Sequence, residues 1–146
     1  MSKRPSEAFL DSNVFIYGRL QACNSRLVIQ LAQLGEFEVV VSDLVVEEVE
    51  RFFREEVNRE AAYLAKRFIE TLAQRIVHRE IIARKMRELK GTIKEKDLEN
   101  LAALRHLRLA YLVSFDEDYR KARVREYVTP KEFVKLFNME PYPTGY

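Results

Sequence analysis

Cysteine, histidine, glycine and proline are all scarce in this sequence, and tryptophan is missing. Cys23 is the only cysteine, so no disulfide can form within the chain and a reducing compartment is expected. His78 and His106 lie on stretches of helical pattern, neither at a metal-ligand spacing, and Cys23 has no catalytic partner in view. No GxxxxGK[ST] loop and no GxGxxG occurs, which argues against nucleotide-dependent chemistry. No apolar run approaches the ~20 residues that span a bilayer. The opening MSKRPSEAFLDSN has basic residues but no apolar stretch long enough for a signal peptide. These absences lead us to expect a soluble, cytoplasmic protein with no membrane partner.

What is present points to a packed α/β chain. The 146 residues are 47% hydrophobic and 33% charged, enough for one domain with a proper core. The formal net charge of +2 is small, but its distribution is uneven. Met1 to Glu50 holds 4 basic and 8 acidic residues, Arg51 to Lys96 holds 13 and 7, and Asp97 to Tyr146 holds 8 of each. Short apolar runs recur as EAFLD (Glu7 to Asp11), FEVVVS (Phe37 to Ser42), LAYLVSFD (Leu109 to Asp116) and REYVT (Arg125 to Thr129). Such near-continuous runs suit parallel strands buried on both faces, with crossover helices between them. Leu27, Leu31 and Leu34 fall at helical spacing, with Gly35 where a C-terminal cap belongs. Thr129, Pro130 and Glu132 form a capping box with proline support. From Asp43 to Lys90 there is neither glycine nor proline, so two or more helices are expected there, ending at Gly91. The tail MEPYPTGY is expected to be extended or poorly ordered.

The carboxylates then stand out by position. Asp11 ends the first apolar run, and Asp116 ends LAYLVSFD with Asp118 two residues on. Ligands of open parallel sheets bind at the carboxyl ends of strands. Glu47 and Glu48 lie in the first turns after FEVVVS, and Asp97 opens DLENLAALRHL. Each has an ordinary reading: Asp11 as a turn residue, Asp97 as an N-cap, one of Glu47 and Glu48 as a solvated residue, Asp118 as a surface residue. Together they would place several acids on one sheet edge, where repulsion and burial make the cluster costly without a cation. Hard oxygen donors without histidine or cysteine favour Mg²⁺ or Mn²⁺.

FLDSNVFI, VSDLVVEEVE, KDLENLAALRHLRLAYLVSFDEDY and YVTPKEFVKLF, in that order, resemble the PIN-domain nucleases, including the VapC toxins of toxin–antitoxin pairs. The resemblance implies a three-layer α/β/α sandwich with a central parallel sheet of four to five strands. It implies one domain over 1–138, with an extended helical segment at about 52–96, longer than in the compact toxins, and a tail at 139–146. It implies a metal-dependent endoribonuclease with an RNA substrate, an antitoxin protein as partner and a homodimeric state. Asp11, Glu48, Asp97 and Asp116 match the catalytic acids, with the spacing from Ser42 favouring Glu48 over Glu47. Asp11, Asp97, Asp116 and Asp118 are the implied metal ligands, and Asn13 and Ser114 the supporting residues. The alternative is a catalytically silent PIN-like RNA-binding or assembly subunit, against which the full set of acids argues. Arg75, Arg79, Arg84, Lys85, Arg87 and Lys90 offer phosphate contacts from the middle segment. For most of them a solvated face paired with Glu70, Glu80 and Glu88 is the better expectation.

Overall fold

The structure is a computed structural model that describes residues 4–146; residues 1–3, part of the basic opening and of the expected 1–138 span, lie outside the described residues. Glu7–Leu10 (β1) and Glu38–Ser42 (β2) form where the sequence puts its first two apolar runs, pairing in parallel with Phe9 opposite Val40. Leu112–Val113 (β4) lies on the other side of β1, with Leu10 opposite Val113, and Tyr127–Val128 (β5) follows it. A further strand, Ala73–Val77 (β3), completes a five-stranded parallel sheet in the order β3-β2-β1-β4-β5. The expected α/β class and parallel sheet hold. The middle segment expected to be helical, about 52–96, also contains β3 and a single 3₁₀ turn, Arg79–Ile81, between its helices.

The helices are Ser12–Leu20 (α1), Asn24–Gln33 (α2), Asp43–Glu56 (α3), Arg59–Leu72 (α4), Ala83–Leu89 (α5), Glu95–His106 (α6), Asp118–Lys121 (α7) and Pro130–Lys135 (α8). α1 packs on α2 and α3, α3 on α4 and α2 on α8, while α5 packs against α6, which lies on β2. Gly35 ends the α2 turn at φ 77°, with its N–H donating to the Ala32 carbonyl and that of Glu36 to Leu31. That left-handed conformation is cheap only without a Cβ. The capping box of α8 forms as read: Glu132 N–H donates to Thr129 Oγ1 at 3.1 Å, and Thr129 N–H to Glu132 Oε1 at 2.9 Å.

Phe9, Leu10, Val39, Val41, Leu112 and Val113 are fully buried. Each such side chain contributes about 1.5–3 kcal/mol relative to exposure. The sheet is therefore anchored at its three central strands. β1 is the point where the strand order reverses, since β2 and β3 lie to one side and β4 and β5 to the other. A crevice at such a switch point is where an α/β sheet holds ligands.

The tail is extended but tied down. The fully buried Asn24 accepts from Tyr142 N–H at 2.8 Å through Oδ1 and donates through Nδ2 to the carbonyls of Tyr142 and Thr144. Its own N–H donates to the Tyr146 carbonyl at 3.1 Å, and the Tyr146 ring packs 5.2 Å from that of Tyr17. Asn24→Ala is expected to cost about 2–3 kcal/mol in urea unfolding and to open residues 139–146 to limited proteolysis. A tail that stays protected in that variant would contradict the clamp.

Candidate metal centre

The site grows from the carboxyl ends of β1 and β4. Asp11 follows β1 and caps α1, its Oδ1 accepting from Ser12 N–H at 2.8 Å. The same oxygen accepts from Asn100 Nδ2 at 3.2 Å, and Oδ2 accepts from Ser114 Oγ at 2.8 Å. Ser114, fully buried after β4, also accepts from Asn13 Nδ2 and from Asp116 N–H, both at 3.1 Å. One hydroxyl thus links the ends of the two central strands. Asp116 Oδ1 in turn accepts from Asp118 N–H at 2.9 Å, a local turn that brings the two acids to one place.

Asp97 enters from α6. The helix begins three residues earlier than an Asp97 cap would require, with Lys94 as the flanking residue, so Asp97 lies in its first turn. It is 5% exposed. One oxygen each of Asp97, Asp116 and Asp118 come within 4.8 Å of one another. The Oδ2 atom of Asp97 is buried and accepts no hydrogen bond. Its nearest partner is the Lys96 ammonium at 3.1 Å, a charge outside hydrogen-bond geometry, so this buried anionic oxygen is only partly satisfied. Three carboxylates around it are the hard-oxygen set that Mg²⁺ or Mn²⁺ takes, so the residues present fit such an ion.

The electrostatics report the same strain. Burial pushes the Asp11 carboxyl from 3.8 up to about 6, with the charges of Asp97 and Asp116 adding to it against the hydrogen bonds from Ser114 and Ser12. Burial, then the charge of Asp11, pushes Glu48 from 4.5 up to about 7. Asp97 is raised by burial against the opposing pull of Lys96. Asp118 is lowered by Lys94 and Lys96.

The sequence pattern of the PIN domain matches residues 8–124. The chain belongs to the PIN-domain family. A toxin–antitoxin complex from Klebsiella pneumoniae is 19% identical with a TM-score of 0.65, covering 86% of this chain and 98% of that one. FitAB bound to an IR36 DNA fragment is 22% identical at a TM-score of 0.64, covering 84% and 94%. VapC20 of Mycobacterium tuberculosis, a sarcin-ricin loop cleaving toxin, is 17% identical at 0.59, covering 79% and 94%. At these identities the likeness is one of fold. No curated protein sequence matches the chain.

Within this PIN domain the structure brings Asp97, Asp116 and Asp118 together and sets Asp11 beside them through Ser114. Glu48 lies near Asp11, while Glu47 faces the other way and takes Arg79 Nη2 at 2.5 Å. Asn13 and Ser114 hydrogen-bond as a supporting pair. Sequence reading missed Asn100, which lies one helical turn after Asp97 and joins Asp11 to Ser42, whose hydroxyl donates to Asn100 Oδ1 at 2.7 Å. The (i, i+3) spacing from Asp97 was the available signal. It also missed Lys96.

Both raised carboxyls fix a sign for pH dependence. Their folded values exceed the unfolded ones, so their stabilising share is full below about pH 4 and is lost as pH rises through 6 and 7. Metal-free protein is expected to melt about 5 °C higher at pH 5 than at pH 8, and saturating Mn²⁺ to erase the difference. Scanning calorimetry at the two pH values checks this; equal melting temperatures without metal would mean that burial does not raise these carboxyls.

Proposed function

We propose that this PIN-domain chain is a divalent-metal-dependent endoribonuclease that hydrolyses phosphodiester bonds in RNA, and that it is the toxin of a type II toxin–antitoxin pair. The observation that carries the reading is the meeting of Asp97, Asp116 and Asp118 around a buried oxygen that accepts no hydrogen bond. These three would hold Mg²⁺ or Mn²⁺. The carboxylate of Asp11 has two oxygens and about four lone pairs, of which three are taken by Ser12, Asn100 and Ser114. The fourth, on Oδ2, is left to reach the ion directly or through water. Glu48 completes the acidic set from α3. A bound ion of this kind supplies an activated water and neutralises the charge that develops on phosphate.

The chain's own residues do the positioning. Ser114 and Asn100 fix the Asp11 carboxylate from two sides, and Asn13 holds the Ser114 hydroxyl so that its proton points at Asp11. The Asp116 backbone, bonded to the same hydroxyl, keeps the second acid in register with the first. Membership of a nuclease family and the fold of known toxins support RNA as substrate and an antitoxin protein as partner. Exposed Leu20, Tyr63 and Leu64 offer apolar area for that partner or for a homodimer. Among the described residues no helix is long and apolar enough to cross a membrane, which fits a cytoplasmic site of action.

Two substitutions test the reading. Asp97→Asn is expected to lower RNA cleavage by about 100-fold or more while leaving the fold intact and the melting temperature equal or higher, since it removes a buried charge. Mn²⁺ titration calorimetry should show binding to the wild type that Asp116→Asn loses. A fully active Asp97→Asn protein would sink the assignment.

A further inference from the structure

Lys96 sits where the cation belongs. Its Nζ lies 3.1 Å from Asp97 Oδ2, 2.7 Å from Asp116 Oδ2 and 3.2 Å from Asp118 Oδ2, the same three acids that converge on one another. The residue stands in the first turn of α6, where the helix dipole favours acids and opposes a cation. Its placement is explained by the carboxylates and not by the helix. Lys94 reaches only Asp118, at 3.1 Å, and its side chain is 65% exposed. The Lys96 side chain is 55% exposed, so a flexible four-carbon stem can swing out to water without disturbing the core.

We infer that Lys96 is a built-in counter-cation of the acidic site, neutralising Asp97, Asp116 and Asp118 in the metal-free protein and competing with the divalent ion for them. This rests on the metal-site reading above. The lysine has two opposite effects. It stabilises the metal-free fold by relieving repulsion among the acids, and it weakens divalent binding because each incoming ion must displace an ammonium already in contact. The concentration of cation needed to load the enzyme is thereby set by a residue that holds no metal itself.

The test compares wild type, Lys96→Met and Lys94→Met by Mn²⁺ titration calorimetry and by melting without metal. Lys96→Met should tighten Mn²⁺ binding about fivefold and lower the metal-free melting temperature. Lys94→Met should shift both by less than half as much. The opposed signs separate this role from a structural one, since general loosening of the site would weaken metal binding. Lys96→Gln gives the same comparison if the methionine variant folds poorly. Wild-type binding with unchanged or weaker affinity in the folded variants would overturn the counter-cation role alone. No Mn²⁺ binding by any of the folded proteins would overturn the metal-site reading together with it.

Discussion

Repulsion between carboxylates is the constraint around which this molecule is organised. Asp11, Glu48, Asp97, Asp116 and Asp118 gather from β1, α3, α6 and the segment after β4, and burial makes the charges of Asp11, Glu48 and Asp97 harder to keep. The chain answers with neutral donors where the acid is deepest and with a cation where it is shallower. Asp11, 5% exposed, receives a backbone N–H, an amide and a hydroxyl. Asp116 and Asp118, nearer the surface, receive ammonium groups. Asp97 falls between the two arrangements, and its Oδ2 has a charge beside it but no hydrogen bond.

Holding such a cluster requires a rigid frame, and the sheet provides it through the strand order. Because β1 has β2 on one side and β4 on the other, loops leaving their carboxyl ends diverge and leave space above β1. The edge strand β3 is fastened to the same frame by a second charged group. Arg79 donates through Nε to the buried Glu99 at 2.6 Å and clasps Glu47, while its backbone N–H donates to Asp43 at 2.8 Å. Glu99 also accepts from Leu44 N–H at 3.0 Å, so α3, α6 and the turn after β3 close on one carboxylate. Glu99 lies two positions after Asp97 on α6, which makes this network a support for the helix that carries the site.

Much of this was legible in the sequence, and the failures have physical causes. β1 and β2 read as strands because both their faces are buried, leaving unbroken apolar runs. Asp11 and Asp116 stood out because each closes an apolar run that ends in a central strand or just after it. β3 was not legible, because AQRIV is an edge strand with the exposed polar pair Gln74–Arg75 at its centre and only Val77 buried, following a helix without a breaking glycine or proline. The run Leu109–Asp116 yields only two residues of ladder, since β5 itself is short and Leu112 and Val113 are all it pairs with. Arg79 belonged to the basic middle segment by composition, yet its partners come from α3 and α6, and separations of 32 and 20 residues have no local signature. The tail was expected to be extended or poorly ordered; it is held by contacts remote in sequence, chiefly the buried Asn24, 118 residues before Tyr142, and also Lys131 and Tyr17.

The acids are therefore not interchangeable, although each is a carboxylate on the same edge. Asp11 has spent three of its acceptor sites inside the protein, so its task is to hold a fixed negative field and to lock β1 to β4 through Ser114. Asp97, Asp116 and Asp118 spend theirs on a turn of backbone and on lysines that water can replace. Glu48 stands apart with a raised carboxyl whose principal charged neighbour is Asp11. In the proposed metal-bound enzyme, a cation would meet Asp11 held by three protein donors, and Asp116 and Asp118 held chiefly by exposed lysines. Exchanging lysines for an ion would then leave the Asp11–Ser114 link between β1 and β4 untouched, because none of its hydrogen bonds involves a lysine.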